Sequence, residues 1–379
     1  MKIGLLGCGT VGKGVYDIVA NRSDMEIKYV LVRRNREEFG TAQTMDINTI
    51  INDSEVDTVI EVMGGLSPAY EYVKAALEAG KNVVTANKHL VAHYYKELIE
   101  LADEKGVAFR CTAAVGGGIP WLVNLERTLR VNPVKSLAGI MNGTTNYILD
   151  SMHKNHADFN EVLKKAQELG YAEADPSADI DGLDVQRKCL ISANVAFGTL
   201  LNENDVPVFG IRNIKNEDIA EAEKHGKICK LLGRASIDDG KVSAYVEPVF
   251  VDKSKLEAAV SDNFNAISFE GEYTGKESFY GQGAGRYPTA YNVVEDLYDV
   301  STGVKCFYTE KFEEKHSDNS NVKNVYYMRS AIESEELNSL FAESWGNGFI
   351  TKPISVMDAH IIATKMLEKD SSFFMASID

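Results

Sequence analysis

The sequence predicts an α/β chain with a doubly wound parallel sheet in its first third, an α+β domain in its middle and a short carboxy-terminal tail. Three observations support this. Strand-like and helix-like runs alternate from residue 2 to about 110, a glycine motif follows the first strand directly, and the rhythm changes after "VGGGIP" (Val115 to Pro120). Lys2 to Leu6 is a short apolar strand and Thr10 to Ala20 a helix. Ile27 to Val32, Asp57 to Met63 and Asn82 to Thr85 are further strands. In "SPAYEYVKAALEAG" Ser67 is placed as N-cap, Pro68 at the first helical position and Gly80 as terminator. Strands separated by helices in this order imply a parallel sheet.

Helical segments are expected to dominate from Trp121 to Phe197. "KLLGRASIDDGKVSAYVEPVFV" then reads as two strands joined at Asp239-Gly240, with more strands around 267–273 and 278–280. The helix of "PTAYNVVEDLYDV" is expected to return to the first domain. The expected domains are therefore 1–130 with 286–310, then 131–285, then a tail over 311–379 that opens on a polar run and offers strand, helix and strand.

The chain has 379 residues, 44% hydrophobic and 25% charged, which is ordinary for a soluble globular protein. A net charge of −16 argues against a sequence-independent grip on nucleic acid or an anionic membrane, both of which draw on clustered Lys and Arg. The five cysteines, Cys8, Cys111, Cys189, Cys229 and Cys306, form no C-x-x-C pair and fit reduced thiols. "MKIGLLGC" has too short an apolar run for a secretory leader, and no segment approaches a membrane span. A cytoplasmic protein is expected.

"GLLGCGTVGKG" contains Gly7-x-Gly9-x-x-Gly12 between a strand and a helix. Glycines there permit the tight turn and the close approach of backbone to a pyrophosphate, whose charge meets the helix N-terminus. An NAD site would end the next strand in an acidic residue; here "LVRRNRE" offers Arg33, Arg34 and Arg36. Guanidinium groups suit a 2′-phosphate, so NADP(H) is preferred and NAD(H) is the alternative. The competing reading is a solvated basic turn.

"AEADPSADIDGLDVQRK", Ala172 to Lys188, holds five carboxylates and then a lysine. It falls into the register of a calcium loop until the twelfth position, where the bidentate glutamate would be Lys188, and that excludes calcium. As a plain helix start, Asp181 is the N-cap, Asp184 the N3 residue, and Asp184 to Lys188 an i,i+4 pair worth about 0.2–0.5 kcal/mol. Against that reading, the helix continues as the apolar "CLISANVAFG", where a charged pair is costly unless used or satisfied. A protonated lysine suits a general acid delivering a proton to a carbonyl oxygen. In "VTANKHL", Asn87 and Lys88 follow the carboxyl end of a parallel strand, where doubly wound sheets bind ligands.

"GLLGCGTVGKG", "EVMGG", "VTANKHLVA", "AAVGGGIP", "NGTTNYIL", "AEADPSADIDGLDVQRK" and "GQGAGRYPTA", in this order and spacing, resemble the motifs of homoserine dehydrogenase over roughly residues 1 to 310. The resemblance implies a Rossmann-type domain and an α+β substrate-binding and dimerisation domain, in a homodimer or a dimer of dimers. The implied reaction interconverts L-aspartate 4-semialdehyde and L-homoserine with NAD(P)(H), in threonine, methionine and isoleucine biosynthesis.

By the same resemblance Lys188 donates the proton, Lys88 lies near cofactor and reacting oxygen, and Asp184 orients Lys188 and meets substrate. Glu173 holds the substrate ammonium, Asp179 adds to the same wall, and Thr144 of "NGTTNYIL" lines the cleft, unless Thr144 or Asn142 is simply a helix cap. Gly9, Thr10, Val11 and Gly12 lie on the pyrophosphate with Gly7 in the turn, and Gly285 returns to the cofactor. A monovalent cation, usually sodium, is implied at Val115, Gly117 and Ile119, although Thr112 stands where a glutamate is usual. "VYYMR" resembles the first strand of an ACT domain, which implies a truncated or divergent ACT-like tail. The alternatives are a non-catalytic NADP(H)-sensing regulator and a related Rossmann dehydrogenase for another small amino or hydroxy acid.

Overall fold

The computed structural model describes residues 1–305, 313 and 315–379; Cys306 and the start of the polar run lie outside the described residues. By internal contacts the chain divides into two units. The first is Met1–Val131, Asn194–Leu200 and Gly281–Glu313, and the second Asn132–Ala193, Leu201–Tyr280 and Glu314–Asp379.

In the first unit the elements run β1 (Lys2–Leu6), α1 (Thr10–Ala20), β2 (Glu26–Leu31), β3 (Gln43–Thr44), α2 (Ile47–Ile51), β4 (Thr58–Glu61), α3 (Ala69–Glu78), β5 (Asn82–Thr85), α4 (Lys88–Lys105), β6 (Phe109–Arg110) and α5 (Trp121–Leu129). The six strands pair in parallel in the order β3-β2-β1-β4-β5-β6, so the order reverses at β1, as in dinucleotide-binding sheets. Both faces are covered, and Ile3, Leu5, Val59, Ile60, Val83 and Val84 are all 0% exposed, which is why these strands read as continuous apolar runs. The expected bounds of β1, α1 and β5 match. The start of α3 differs: the Ser67 hydroxyl bonds the Glu71 carboxylate (3.0 Å) instead of capping, Pro68 is the N-cap and Ala69 opens the helix.

The second unit begins with β7 (Val134–Ile140), inside a stretch expected to be helical. Pro133 breaks the preceding helix, and Gly139 would cost a helix about 1 kcal/mol, so both signals were present. Then follow α6 (Gly143–Asn155), α7 (Phe159–Glu168), α8 (Ser177–Ile180), α9 (Leu183–Phe197), α10 (Asn216–Lys224), β8 (Lys227–Asp238), β9 (Lys241–Asp252), β10 (Phe264–Gly271) and β11 (Gly275–Gln282). The predicted hairpin β8–β9 turns at Asp239 (φ 45°) and Gly240 (φ 74°), the left-handed pair that a two-residue hairpin turn requires. Next, α11 (Arg286–Ser301) belongs to the first unit and runs against α1, where a Cβ on Gly14 would lie 2.7 Å from the Arg286 carbonyl.

The tail differs most from expectation. It forms β12 (Lys323–Arg329), α12 (Glu335–Leu340), β13 (Phe341–Trp345), β14 (Gly348–Thr351), β15 (Ile354–Ser355), α13 (Val356–Lys369) and β16 (Phe374–Ile378). Apart from the short β15, which pairs β12, this is a β-α-β-β-α-β succession with strand order β16-β12-β14-β13. It is not separate from the second unit: β16 pairs parallel with β9, making one sheet β11-β10-β7-β8-β9-β16-β12-β14-β13. Side chains reinforce the join. Arg329 on β12 donates through Nε to Asp218 of α10 (2.7 Å), and Glu247 on β9 accepts from Tyr326 Oη (3.2 Å) and lies 3.1 Å from His360 Nε2.

Asp218 is 0% exposed. Asp218→Ala should therefore cost about 3–5 kcal/mol in urea unfolding by stranding the Arg329 guanidinium. Glu217→Ala, removing a half-exposed partner 3.7 Å from the same guanidinium, should cost under about 1 kcal/mol.

Candidate active site

In the first unit the loop between β1 and α1 is shaped by its glycines. Gly7 has φ 98°, and a Cβ on Gly12 would lie 2.2 Å from the Gly7 carbonyl, so α1 can start this close to β1 only with glycine there. A Cβ on Gly9 would meet nothing within 4 Å, and Gly9 and Thr10 are exposed at the N-terminus of α1, with Val11 half-buried. The arrangement fits a pyrophosphate against backbone N–H groups. Arg33 and Arg34 follow β2 and are exposed, whereas Arg36 turns inward and donates through Nη1 to the Cys8 carbonyl (3.2 Å) of the glycine loop. Gly285 has φ 122° and is the N-cap of α11.

At the carboxyl ends of β4 and β5 lies a group that reading the sequence overlooked. Glu61 is 0% exposed and accepts from Met63 N (2.7 Å), Gly64 N (3.3 Å), Thr85 Oγ1 (2.7 Å) and Asn87 Nδ2 (3.4 Å). Burial pushes its carboxyl above the usual range against these four donors. Asn87 also donates to the Gly65 carbonyl (2.7 Å) and, as N-cap of α4, accepts from Leu90 N (3.2 Å). Glu61 thus ties the "MGG" loop to the helix start that carries Lys88. Its signal was a carboxylate inside the otherwise apolar run "VIEVM".

In the second unit the charged residues of the acidic stretch separate. Lys188 is 8% and Asp184 4% exposed, and the Lys188 ammonium donates to Asp184 Oδ2 (2.7 Å) and to the Met141 carbonyl (2.7 Å) just beyond β7. Asn142 Nδ2 donates to Asp184 Oδ2 (2.9 Å) and Asp179 Oδ1 (2.6 Å), while Asn142 Oδ1 caps α6 by accepting from Thr145 N (2.8 Å). So Lys188, Asp184 and Asp179 are brought together around Asn142, which is both cap and wall. Thr144 sits on the first turn of α6 and donates to the Tyr171 carbonyl (2.6 Å).

Glu173 is exposed, apart from this cluster's bonds, and its carbonyl accepts from Gln167 Nε2 (3.0 Å). Asp181 departs from the expected cap: it ends α8 and binds Arg212 through both oxygens (2.6 and 2.7 Å). Asp175 accepts from Ser177 N (3.1 Å) in a turn.

The loop read as a cation site lies in the first unit. Gly117 (φ 55°) lies so close to Gly283 that a Cβ would sit 2.5 Å from its carbonyl. The Gly117 and Ile119 carbonyls both accept from Asn292 Nδ2 (2.6 and 3.1 Å), and Val115 is buried. Thr112 donates through N (2.8 Å) and Oγ1 (2.7 Å) to Asp296, which also accepts from Arg110 Nε (3.1 Å). With an amide nitrogen on two of the three expected carbonyls, this donor set does not fit a cation. Among the described residues no cluster of three His, Cys, Asp or Glu could hold a metal.

Burial, and then the neighbouring Asp184, raise the Asp179 pKa above 3.8, so the folded chain holds that proton more tightly than the unfolded one. The associated stability is fully present below pH 3.8 and is lost as pH rises through the folded value. Asp179→Asn, which keeps an acceptor for Asn142, should therefore melt higher than wild type at neutral pH. The two melting curves should converge in acid.

Comparisons with known proteins identify the family. The family models "Homoserine dehydrogenase, NAD binding domain" and "Homoserine dehydrogenase" match residues 7–112 and 120–298. A homoserine dehydrogenase of Bacillus subtilis is 38% identical over 90% of this chain and 85% of its own length, and one of Synechocystis is 42% identical over 79% and 73%. A solved homoserine dehydrogenase from Thiobacillus denitrificans superposes with a TM-score of 0.88 at 32% identity, covering 100% of this chain and 98% of its own. Two family models in tandem, relatives aligned over most of both lengths and a glycine-loop sheet lead to one conclusion: the chain is an oxidoreductase with an NAD(P)-binding domain and belongs to the homoserine dehydrogenase family.

Proposed function

We propose that this chain interconverts L-aspartate 4-semialdehyde and L-homoserine, with Lys188 as the acid and base. The observation that carries the reading is the Lys188 ammonium, buried on α9 between Asp184 and the Met141 carbonyl. A buried ammonium oriented by a carboxylate and a carbonyl can deliver a proton to a carbonyl oxygen. In reduction the aldehyde carbon gains a hydride while its oxygen takes a proton from Lys188 Nζ, giving the alcohol and a neutral amine that solvent reprotonates. The bound dinucleotide supplies or accepts the hydride. Lys88, at the N-terminus of α4, acts beside the cofactor and the reacting oxygen, and its place depends on Asn87 and Glu61. Asp184 orients Lys188. Exposed Glu173 is available to a substrate ammonium, with Asp179 and Thr144 completing the wall.

NADP(H) is the proposed coenzyme, since the exposed Arg33 and Arg34 stand where an NAD site would carry a carboxylate. A solved hyperthermophilic archaeal homoserine dehydrogenase of similar fold (TM-score 0.68) is described in complex with NADPH. We read the second unit as the homodimer contact; in support, β11 alternates half-buried and exposed residues along its whole length. The tail's six-element succession supports an ACT-like reading.

Homoserine oxidation, followed by nicotinamide absorbance, should lose about 10²–10⁴-fold in kcat in Lys188→Ala; an unaltered kcat would refute the assignment. Oxidation needs a neutral lysine, so the wild-type rate should climb towards alkaline pH. Arg33→Ala should lower kcat/KM for NADP by about tenfold and leave that for NAD nearly unchanged. Equal wild-type values for the two coenzymes would overturn the phosphate reading.

A further inference from the structure

We infer that the buried amide of Asn292 takes the place of a monovalent cation in the loop from Thr112 to Ile119, so that this chain needs no sodium or potassium for stability or turnover. A cation held by backbone carbonyls neutralises oxygens that would otherwise face one another unpaired. Here the Gly117 and Ile119 carbonyls converge on one nitrogen, Asn292 Nδ2, at 2.6 and 3.1 Å. Asn292 is 1% exposed on α11, so solvent is a poor substitute for either partner. Its orientation follows from its neighbours: two carbonyl oxygens require a donor, and turning the amide over would bring a third oxygen against them.

The surrounding charges agree. Thr112 has no carboxylate to offer a cation, and the buried carboxylate that does meet it, Asp296, is already engaged by Thr112 and Arg110. One Asp296 oxygen accepts from Thr112 Oγ1 and Arg110 Nε, the other from Thr112 N. The loop is also fixed from a second direction, because Gly118 N donates to the Gln282 carbonyl (3.0 Å). Its conformation is thus held by Asn292, Asp296 and Gln282 without a bound ion.

The test uses the whole chain in sodium, potassium or choline chloride at equal ionic strength. Melting temperature and homoserine kcat/KM should be the same in all three salts. A saturable rise of either quantity specific to sodium or potassium would overturn the inference. The melting arm reads the loop without turnover, so absence of homoserine oxidation in every salt would count against the proposed function and leave this inference to be decided by melting alone. Asn292→Ser shortens the side chain and frees the two carbonyls. It should melt lower in choline and recover in sodium or potassium with saturation, whereas a variant melting like wild type in all three salts would show that the amide is not what satisfies the loop.

Discussion

The second unit depends on one side chain, the amide of Asn142. It caps α6 through its oxygen and, through its nitrogen, holds Asp179 and Asp184, which repel one another. A buried carboxylate, a half-buried one and a buried ammonium are tolerable only when each has fixed partners, because unpaired charge in a protein interior costs several kcal/mol. Asn142 and the Met141 carbonyl supply those partners from adjacent residues at the end of β7. The strand end therefore sets the position of α6, the tilt of α9 and the direction of the Lys188 ammonium together. In the first unit a buried carboxylate plays the central part: Glu61 gathers donors from the turns after β4 and β5 and so places the helix that begins at Lys88.

Much of this was legible in the sequence, and the division has a physical cause. The glycine loop, the bounds of β1, α1 and β5 and the Asp184–Lys188 pair are local features: periodicity, φ requirements and i,i+4 spacing lie within a few residues. The β8–β9 turn is local in the same sense.

What was missed is long-range. The strand β7 is buried between β10 and β8, partners about a hundred residues away, and its short "VKSLAGI" carries little pattern of its own. Asp181 looks like a cap and is claimed instead by Arg212. Asn292 lies 175 residues from Gly117, so nothing near either residue announces their bond. Asn142 was visible as a cap but not as a bridge, since bridging requires α6 and α9 to be in place first.

The strand order also bears on how the protein is made. β16 lies between β9 and β12, yet it comes from residues 374–378, more than a hundred residues after β9. Until that segment emerges from the ribosome, both neighbours present open edges, and β9 in particular is a long strand of largely apolar residues. Closing the sheet late exposes the growing chain to self-association during synthesis, so chaperone demand should concentrate in the interval between emergence of β9 and of β16.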